Sequence, residues 1–201
     1  MSKQTIFARQ RHQLDQAITY GTKKQALGLA RKFLALAKKR NIVSEIEYFK
    51  GQIDLLKNRF VSAIEHFDLA LKLNPKDGAS YNDRALCMVE LGIIDEALEY
   101  FDKGIAAEPD YATIYHNKGW LLNNIGRYTE AIKCFNKALE LEPDRAVTYD
   151  NLADALANLG EIEAAIRAYR KVLELLKPNQ CRIIRSKIKE RIKELQEKIY
   201  R

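Results

Sequence analysis

Proline is scarce in this 201-residue sequence, with four residues, and glycine follows with nine. So little of either rules out a linker-rich or collagen-like chain. Three cysteines, Cys87, Cys134 and Cys181, stand far apart with no CxxC pair or Cys/His cluster beside them. That spacing encodes neither a disulfide framework nor a zinc site, and small buried hydrophobes or surface thiols are expected instead. No apolar run approaches the roughly 18–20 residues of a membrane span. The stretch MSKQTIFARQRHQ has charge but no apolar core behind it, so no secretory signal is expected. Its shortage of acids also fits an organelle transit peptide, but it runs unbroken into a patterned helix, and a cytoplasmic protein is the expectation.

What is present describes a folded, soluble chain: 47% hydrophobic and 30% charged residues. The length suits one elongated domain or two small ones. The net charge of +7 is unevenly spread. Residues 1–43 hold ten Lys/Arg and one acid, Asp15, and residues 180–201 hold eight Lys/Arg and three acids, so basic ends flank an acidic middle. No catalytic constellation is found. His12, His66 and His116 are scattered singly, and no phosphate loop, nucleophile motif or metal-ligand spacing occurs. Asp95/Glu96 and Glu161/Glu163 fall at helix starts, where carboxylates complement the helix dipole. No enzymatic activity, cofactor or metal is expected.

One sentence is written four times. RFVSAIEHFDLALKLNPKD (59–77), IIDEALEYFDKGIAAEPD (93–110), RYTEAIKCFNKALELEPD (127–144) and EIEAAIRAYRKVLELLKPN (161–179) align with Pro75, Pro109, Pro143 and Pro178, spaced 34, 34 and 35 residues apart. Ala63, Ala97, Ala131 and Ala165 recur ahead of them, each followed four residues later by Phe67, Phe101, Phe135 or Tyr169. A period of this length predicts stacked repeats. Within 112–145, Tyr115, Gly119 and Leu122 share one helical face, Gly126 ends that helix in a left-handed position, and Tyr128, Ala131, Phe135, Ala138 and Leu139 form the stripe of a second helix that Pro143 stops. Two helices of about 14 residues cannot bury their own apolar faces, whereas a stack of pairs can.

At these residues the chain resembles the tetratricopeptide repeat (TPR) family. The family pattern is met by Tyr115, Gly119, Leu122, Ala131, Phe135, Ala138 and Pro143 in 112–145. It is met by Tyr81, Ala85, Met88, Ala97, Phe101, Gly104 and Pro109 in 78–111, and by Tyr149, Ala153, Leu156, Ala165 and Tyr169 in 146–179. Period 44–77 matches in its second helix (Ala63, Phe67, Ala70, Pro75). Its first helix fits at Gly51 alone and puts Glu47, Lys50 and Asp54 where burial is expected. Ala17, Tyr20 and Phe33 make 10–43 a degenerate copy in phase. The resemblance implies an all-α, right-handed α-solenoid: a basic helical pair over 1–43, four repeats at 44–77, 78–111, 112–145 and 146–179, and a C-terminal amphipathic capping helix over 180–201. In that last helix Ile184, Ile188, Ile192, Leu195 and Ile199 form the apolar stripe.

The resemblance also implies a concave groove lined by first-helix positions. These map to Asn82, Asp83, Leu86 and Glu90; to Thr113, His116, Asn117, Trp120, Asn123 and Asn124; and to Asp150, Asn151, Asp154 and Asn158. Asn117 and Asn151, one repeat apart, carry the donors and acceptor that grip successive backbone amides of an extended peptide. Trp120, the one tryptophan, is the aromatic anchor. The expected site is thus Asn82, Asp83, His116, Asn117, Trp120, Asn124, Asp150, Asn151 and Asp154. The family's chaperone-tail clamp is not expected, because its five positions read Asn82, Leu86, Asn117, Val147 and Asn151, and only Asn117 matches. The expected activity is a non-enzymatic scaffold that holds a peptide or helix of a partner protein. Two alternatives come from the charge pattern: nucleic-acid or anionic-surface binding through the basic ends, including Arg31, Lys32, Lys38, Lys39, Arg40, Arg182, Arg185, Lys187 and Lys189, and self-association into a homo-oligomer.

Overall fold

The structure, a computed structural model, describes residues 5–176 and 181–199. Pro178 therefore lies outside the described residues, as do the flanking ends of the chain. The described residues form helices and turns only, an all-α helical repeat fold. The helices are α1 (Thr5–Tyr20), α2 (Lys23–Arg40), α3 (Val43–Leu56), α4 (Phe60–Leu73), α5 (Gly78–Glu90), α6 (Ile94–Ala107), α7 (Ala112–Asn124), α8 (Tyr128–Leu141), α9 (Ala146–Leu159), α10 (Ile162–Leu175) and α11 (Arg182–Ile199). They group into two compact units that divide between Pro109 and Asp110. In the first unit α3/α4 and α5/α6 form hairpins, with α2 against α3 and α4 against α5. In the second, α7/α8 and α9/α10 do the same, α8 packs on α9, and α11 packs on α10.

The turn inside each hairpin is set by one backbone position. Asn58 (φ 60°), Gly92 (φ 77°), Gly126 (φ 81°) and Gly160 (φ 90°) recur 34 residues apart, all left-handed. The next residue's N–H returns to a carbonyl one turn back, as in Arg127 N to Leu122 O at 2.8 Å and Glu161 N to Leu156 O at 2.9 Å. This is the Schellman closure, and glycine adopts it without the Cβ penalty. A Cβ on Gly126 would meet nothing within 4 Å, so its cost is purely conformational. Gly126→Ala is therefore expected to destabilise the fold by about 1 kcal/mol, and Asn58→Gly to leave stability unchanged or slightly raised; urea denaturation of both variants measures this.

The repeated alanines and aromatics form the core. Ala63, Phe67 and Ala70 are fully buried, as are Ala97 and Phe101, Ala131, Phe135 and Ala138, and Ala165. Small residues on the first helix of a hairpin make room for these rings. A Cβ on Gly51 would lie 2.7 Å from the Phe67 ring, and one on Gly119 would lie 2.8 Å from the Phe135 ring. Glycine is required there by close approach rather than by dihedral angle.

Period 44–77 solves its acidic first helix with ion pairs. Glu47 and Asp54 are buried, while Lys50 is half-buried. Glu47 accepts from Lys50 Nζ at 2.7 Å and lies 2.7 Å from His66 Nδ1 of α4; Asp54 pairs with Arg59 and sits 3.7 Å from His66 Nε2. Buried carboxylates persist when cations and hydrogen bonds replace water in this way. Tyr48 and Phe49, next to Glu47, are also fully buried. Phe49 meets Phe33 of α2 (ring centroids 5.7 Å) and Phe7 of α1 (5.8 Å), and Tyr48 meets Phe67 (6.1 Å).

α1 departs from the degenerate-repeat phase. Tyr20, expected at the buried aromatic position, is exposed, and Ala17 is half-buried. The residues that anchor the helix are Phe7, Arg11 and Leu14 instead. At the other end of the chain Ile188 and Leu195 of α11 are buried, Ile192 is half-buried and Ile184 is exposed. Arg185 Nη1 donates to the Leu173 and Leu176 carbonyls, the latter at 2.8 Å, and so satisfies orphan acceptors at the end of α10. Among the described residues no helix is long and apolar enough to cross a membrane.

Candidate functional site

α7 turns Ile114, Gly119, Leu121 and Leu122 inward. At spacings of three and four, Thr113, Asn117, Trp120 and Asn124 then share another stripe. Asn117 and Trp120 are half-buried and Asn124 is exposed. On α9, Leu152, Ala153, Ala155 and Leu156 are buried, which leaves Asn151, Asp154 and Asn158 on the corresponding stripe. The α9 stripe meets the neighbouring residues of α7 in a polar seam: Asn158 Nδ2 lies 3.4 Å from Asn123 Oδ1, and Asn151 Nδ2 lies 3.5 Å from His116 Nε2. Of the residues expected from sequence, His116 and Asn151 are brought together there, Asp150 and Asp154 share Arg191, and Asn117, Trp120 and Asn124 lie on α7.

His116 is a support, and its chemistry is fixed by burial. Its Nδ1 is 2.9 Å from Thr148 Oγ1, and its ring lies 5.9 Å from that of Phe135. Burial, with the Arg145 cation adding to it, pushes the imidazole down to about 3, so the ring is neutral at physiological pH. A neutral ring has one N–H. Placing it at Nδ1 lets it donate to Thr148 while Nε2 accepts from Asn151 Nδ2. Thr113 is set in a similar way, its hydroxyl accepting from Arg145 Nη1 at 2.9 Å.

The acids of α9 are already engaged. Arg191 of α11 places Nη1 3.1 Å from Asp154 Oδ1 and 3.6 Å from Asp150 Oδ1, and the Tyr169 hydroxyl donates to Asp154. Burial and the neighbouring Asp154 raise the Asp150 carboxyl, with Arg191 pulling the other way. Arg191 was not among the residues expected from sequence. Its signal is its position, three residues after Ile188 and four before Leu195, on the buried stripe of α11.

Asn82 and Asp83 belong to the first unit and are buried, at 1% and 8% exposure. Asn82 Nδ2 donates to Asp83 Oδ1 at 2.9 Å, and Gln52 Nε2 of α3 donates to Asp83 Oδ2. Burial pushes the Asp83 carboxyl up to about 8, with the nearby Asp15 of α1 adding to the rise. Asp83 is thus a neutral acid at pH 7, and neither residue presents open surface. Among the described residues no group of three His, Cys, Asp or Glu is disposed to hold a metal ion.

Two family models described as tetratricopeptide repeat match this chain, over residues 48–112 and 110–177. No functionally curated protein matches it. Among solved structures, TTC0263, a thermophilic TPR protein in Thermus thermophilus, superposes with a TM-score of 0.70 at 20% identity, covering 94% of this chain and 97% of that one. MamA residues 41 to the end from Desulfovibrio magneticus RS-1 gives 0.62 at 18% identity, covering 79% and 94%. YrrB, described as a TPR protein with an unusual peptide-binding site, gives 0.57 at 19% identity, covering 89% and 90%. At these identities the likeness is one of fold.

Proposed function

This chain belongs to the tetratricopeptide repeat family, and from that premise we propose that it is a non-enzymatic scaffold that takes an extended peptide of a partner protein on the α7/α9 face. The observation that carries the reading is the polar seam of Asn151 with His116 and Asn158 with Asn123, with Asn117 one repeat before Asn151 and Trp120 half-buried on α7. Amides at that spacing offer both donor and acceptor to a peptide backbone, and Trp120 supplies a large apolar anchor at small entropy cost. The buried His116–Thr148 pair supports it by holding the Asn151 amide in one orientation. Peptide binding by YrrB, a protein of like fold, points the same way. Asp154 enters as a partner of Arg191 at 3.1 Å, whereas Asp150 Oδ1, 3.6 Å from the same Arg191, is buried without a hydrogen bond among the described residues.

The test is a pull-down from lysate with the wild type and with a combined Asn117→Ala, Trp120→Ala, Asn151→Ala variant, once circular dichroism shows equal helicity. A partner retained by the wild type alone is the expected result, with affinity reduced at least tenfold in the variant. Partners held equally by both would overturn the reading.

A further inference from the structure

α1 is fastened to the first unit by three side chains on one face. Phe7 and Leu14 are fully buried, Phe7 against the Phe49 ring at 5.8 Å. Between them Arg11 makes two forks. Its Nε and Nη2 donate to Glu45 at 3.1 and 3.0 Å, and its Nη1 and Nη2 donate to Asp77 at 2.6 and 2.9 Å. The guanidinium also stacks over the Tyr48 ring, 3.7 Å from its centroid. Bidentate pairing and aromatic stacking together are a recognition geometry particular to arginine. Asp77 is in turn the N-cap of α5, accepting from the Ser80 N–H and hydroxyl.

The residues that receive α1 occupy first-helix positions of periods 44–77 and 78–111, the positions that line the peptide face in the second unit. Tyr48 and Phe49 are the counterparts of His116 and Asn117, and Asp83 is the counterpart of Asn117 one repeat earlier. α1 packs mainly on its own neighbour α2, and a cleft of about 450 Å3 opens beside that contact, lined by Gln10, Gln13, Phe33 and Leu36 among others.

We propose that this face of α3 and α5 is a helix-docking site for which α1 is the resident ligand, exchangeable for a partner helix of the same chemistry. That partner is a basic amphipathic helix bearing an aromatic residue, an arginine four residues on and a leucine three beyond that, the spacing of Phe7, Arg11 and Leu14. The arginine is read by Glu45, Asp77 and Tyr48, and the aromatic ring by Phe49. This site uses none of the α7/α9 residues and stands whether or not that face binds a peptide.

Two measurements on the full chain test it. Hydrogen exchange on the wild type is expected to show α1 amides opening at least tenfold more readily than those of α3, because a resident ligand leaves without unfolding its site. Equal protection of α1 and α3 would make α1 an integral part of the core and overturn the proposal, and this readout needs no variant to fold. In the second, a fluorescent peptide of residues 5–20 is titrated onto the wild type and the Arg11→Ala protein. Tethered α1 outcompetes the peptide in the wild type, whereas its weakened form in Arg11→Ala is expected to yield the site, tightening binding at least tenfold. The peptide carrying Arg11→Ala is expected to lose at least tenfold on that protein, and undiminished binding would overturn arginine recognition. Dimerisation of the full chain over the same concentrations, with no peptide bound, would assign the face to a second copy and overturn the partner helix.

Discussion

Phe135→Ala is expected to cost about 3–5 kcal/mol, and its neighbours place it toward the upper end. The ring is fully buried between α7 and α8 and is flanked by Gly119, Ala131 and Ala138. Residues this small have no side chain with which to fill a vacated ring, so the cavity stays open and the loss of dispersion contacts is added to the transfer term. Near this ring also lies the imidazole of His116, whose hydrogen bonds orient Asn151. Loss of the ring is therefore expected to loosen the amide seam as well as the fold. Trp120 is the one tryptophan and lies on α7, so its fluorescence reports the second unit alone during urea denaturation. Its midpoint is expected to fall well below that of the wild type, and a loss under about 1 kcal/mol would mean that the site collapses around the cavity.

The framework was legible because each repeat writes its own punctuation. Gly92, Gly126 and Gly160 announce the turns, and Asn58 takes the same left-handed position because asparagine tolerates it best after glycine. Ala131, Phe135 and their counterparts announce the core, since interlocking small and large residues leave one way to pack. Helix phase also sets Asn117, Trp120 and Asn124 on one stripe of α7, away from its buried Ile114, Gly119, Leu121 and Leu122.

Coverage of a face is a different kind of fact, because it depends on a segment far away in sequence. Asn82 and Asp83 sit in phase with the seam yet are buried, with Gln52 of α3 on Asp83 and Asp15 of α1, more than 60 residues earlier, near enough to raise its carboxyl. Two signs of this were in the sequence. Tyr48 and Phe49 put aromatics where the later repeats carry Asn82/Asp83, His116/Asn117 or Asp150/Asn151, and exposed aromatics side by side call for a cover. Arg11 and Arg191 each sit on an otherwise apolar helical stripe, where a charge implies a partner. In both cases the partner is a carboxylate of a separate helix or turn, and spacing along one helix does not identify it. The Glu47–His66–Asp54 cluster teaches the same lesson: repeat phase marks Glu47 and Asp54 for burial, but their shared partner His66 on α4 is legible only once α3 and α4 are set side by side.

Asp83→Asn is expected to flatten the pH dependence of stability across the neutral range, and the sign follows from the proton count. Unfolded, Asp83 titrates near 3.8; folded, burial and Asp15 hold it at about 8. Below the lower value both states carry the proton and the carboxyl's contribution is fully present. Between the two, the native state keeps a proton that the unfolded state has released, so stability falls by about 1.4 kcal/mol per pH unit. Above about 8 the loss is complete. Asparagine has no such proton, so the variant gains on the wild type by an amount on the order of 4 kcal/mol between pH 5 and 8, large against a typical total of 5–15 kcal/mol. Urea denaturation at pH 5, 7 and 9 reads it directly, and a constant difference between the two proteins would show Asp83 to be ionised in the fold. Gln52 Oε1 is buried with no hydrogen-bond partner among the described residues, and with the Gln52 amide turned over a protonated Asp83 donates to it, while the hydrogen bonds from Asn82 and Tyr48 pull the carboxyl the other way. Asp15→Asn supplies the control on cause. With the neighbouring charge gone Asp83 ionises at lower pH, and the sloping region is expected to end sooner while its lower limit stays in place.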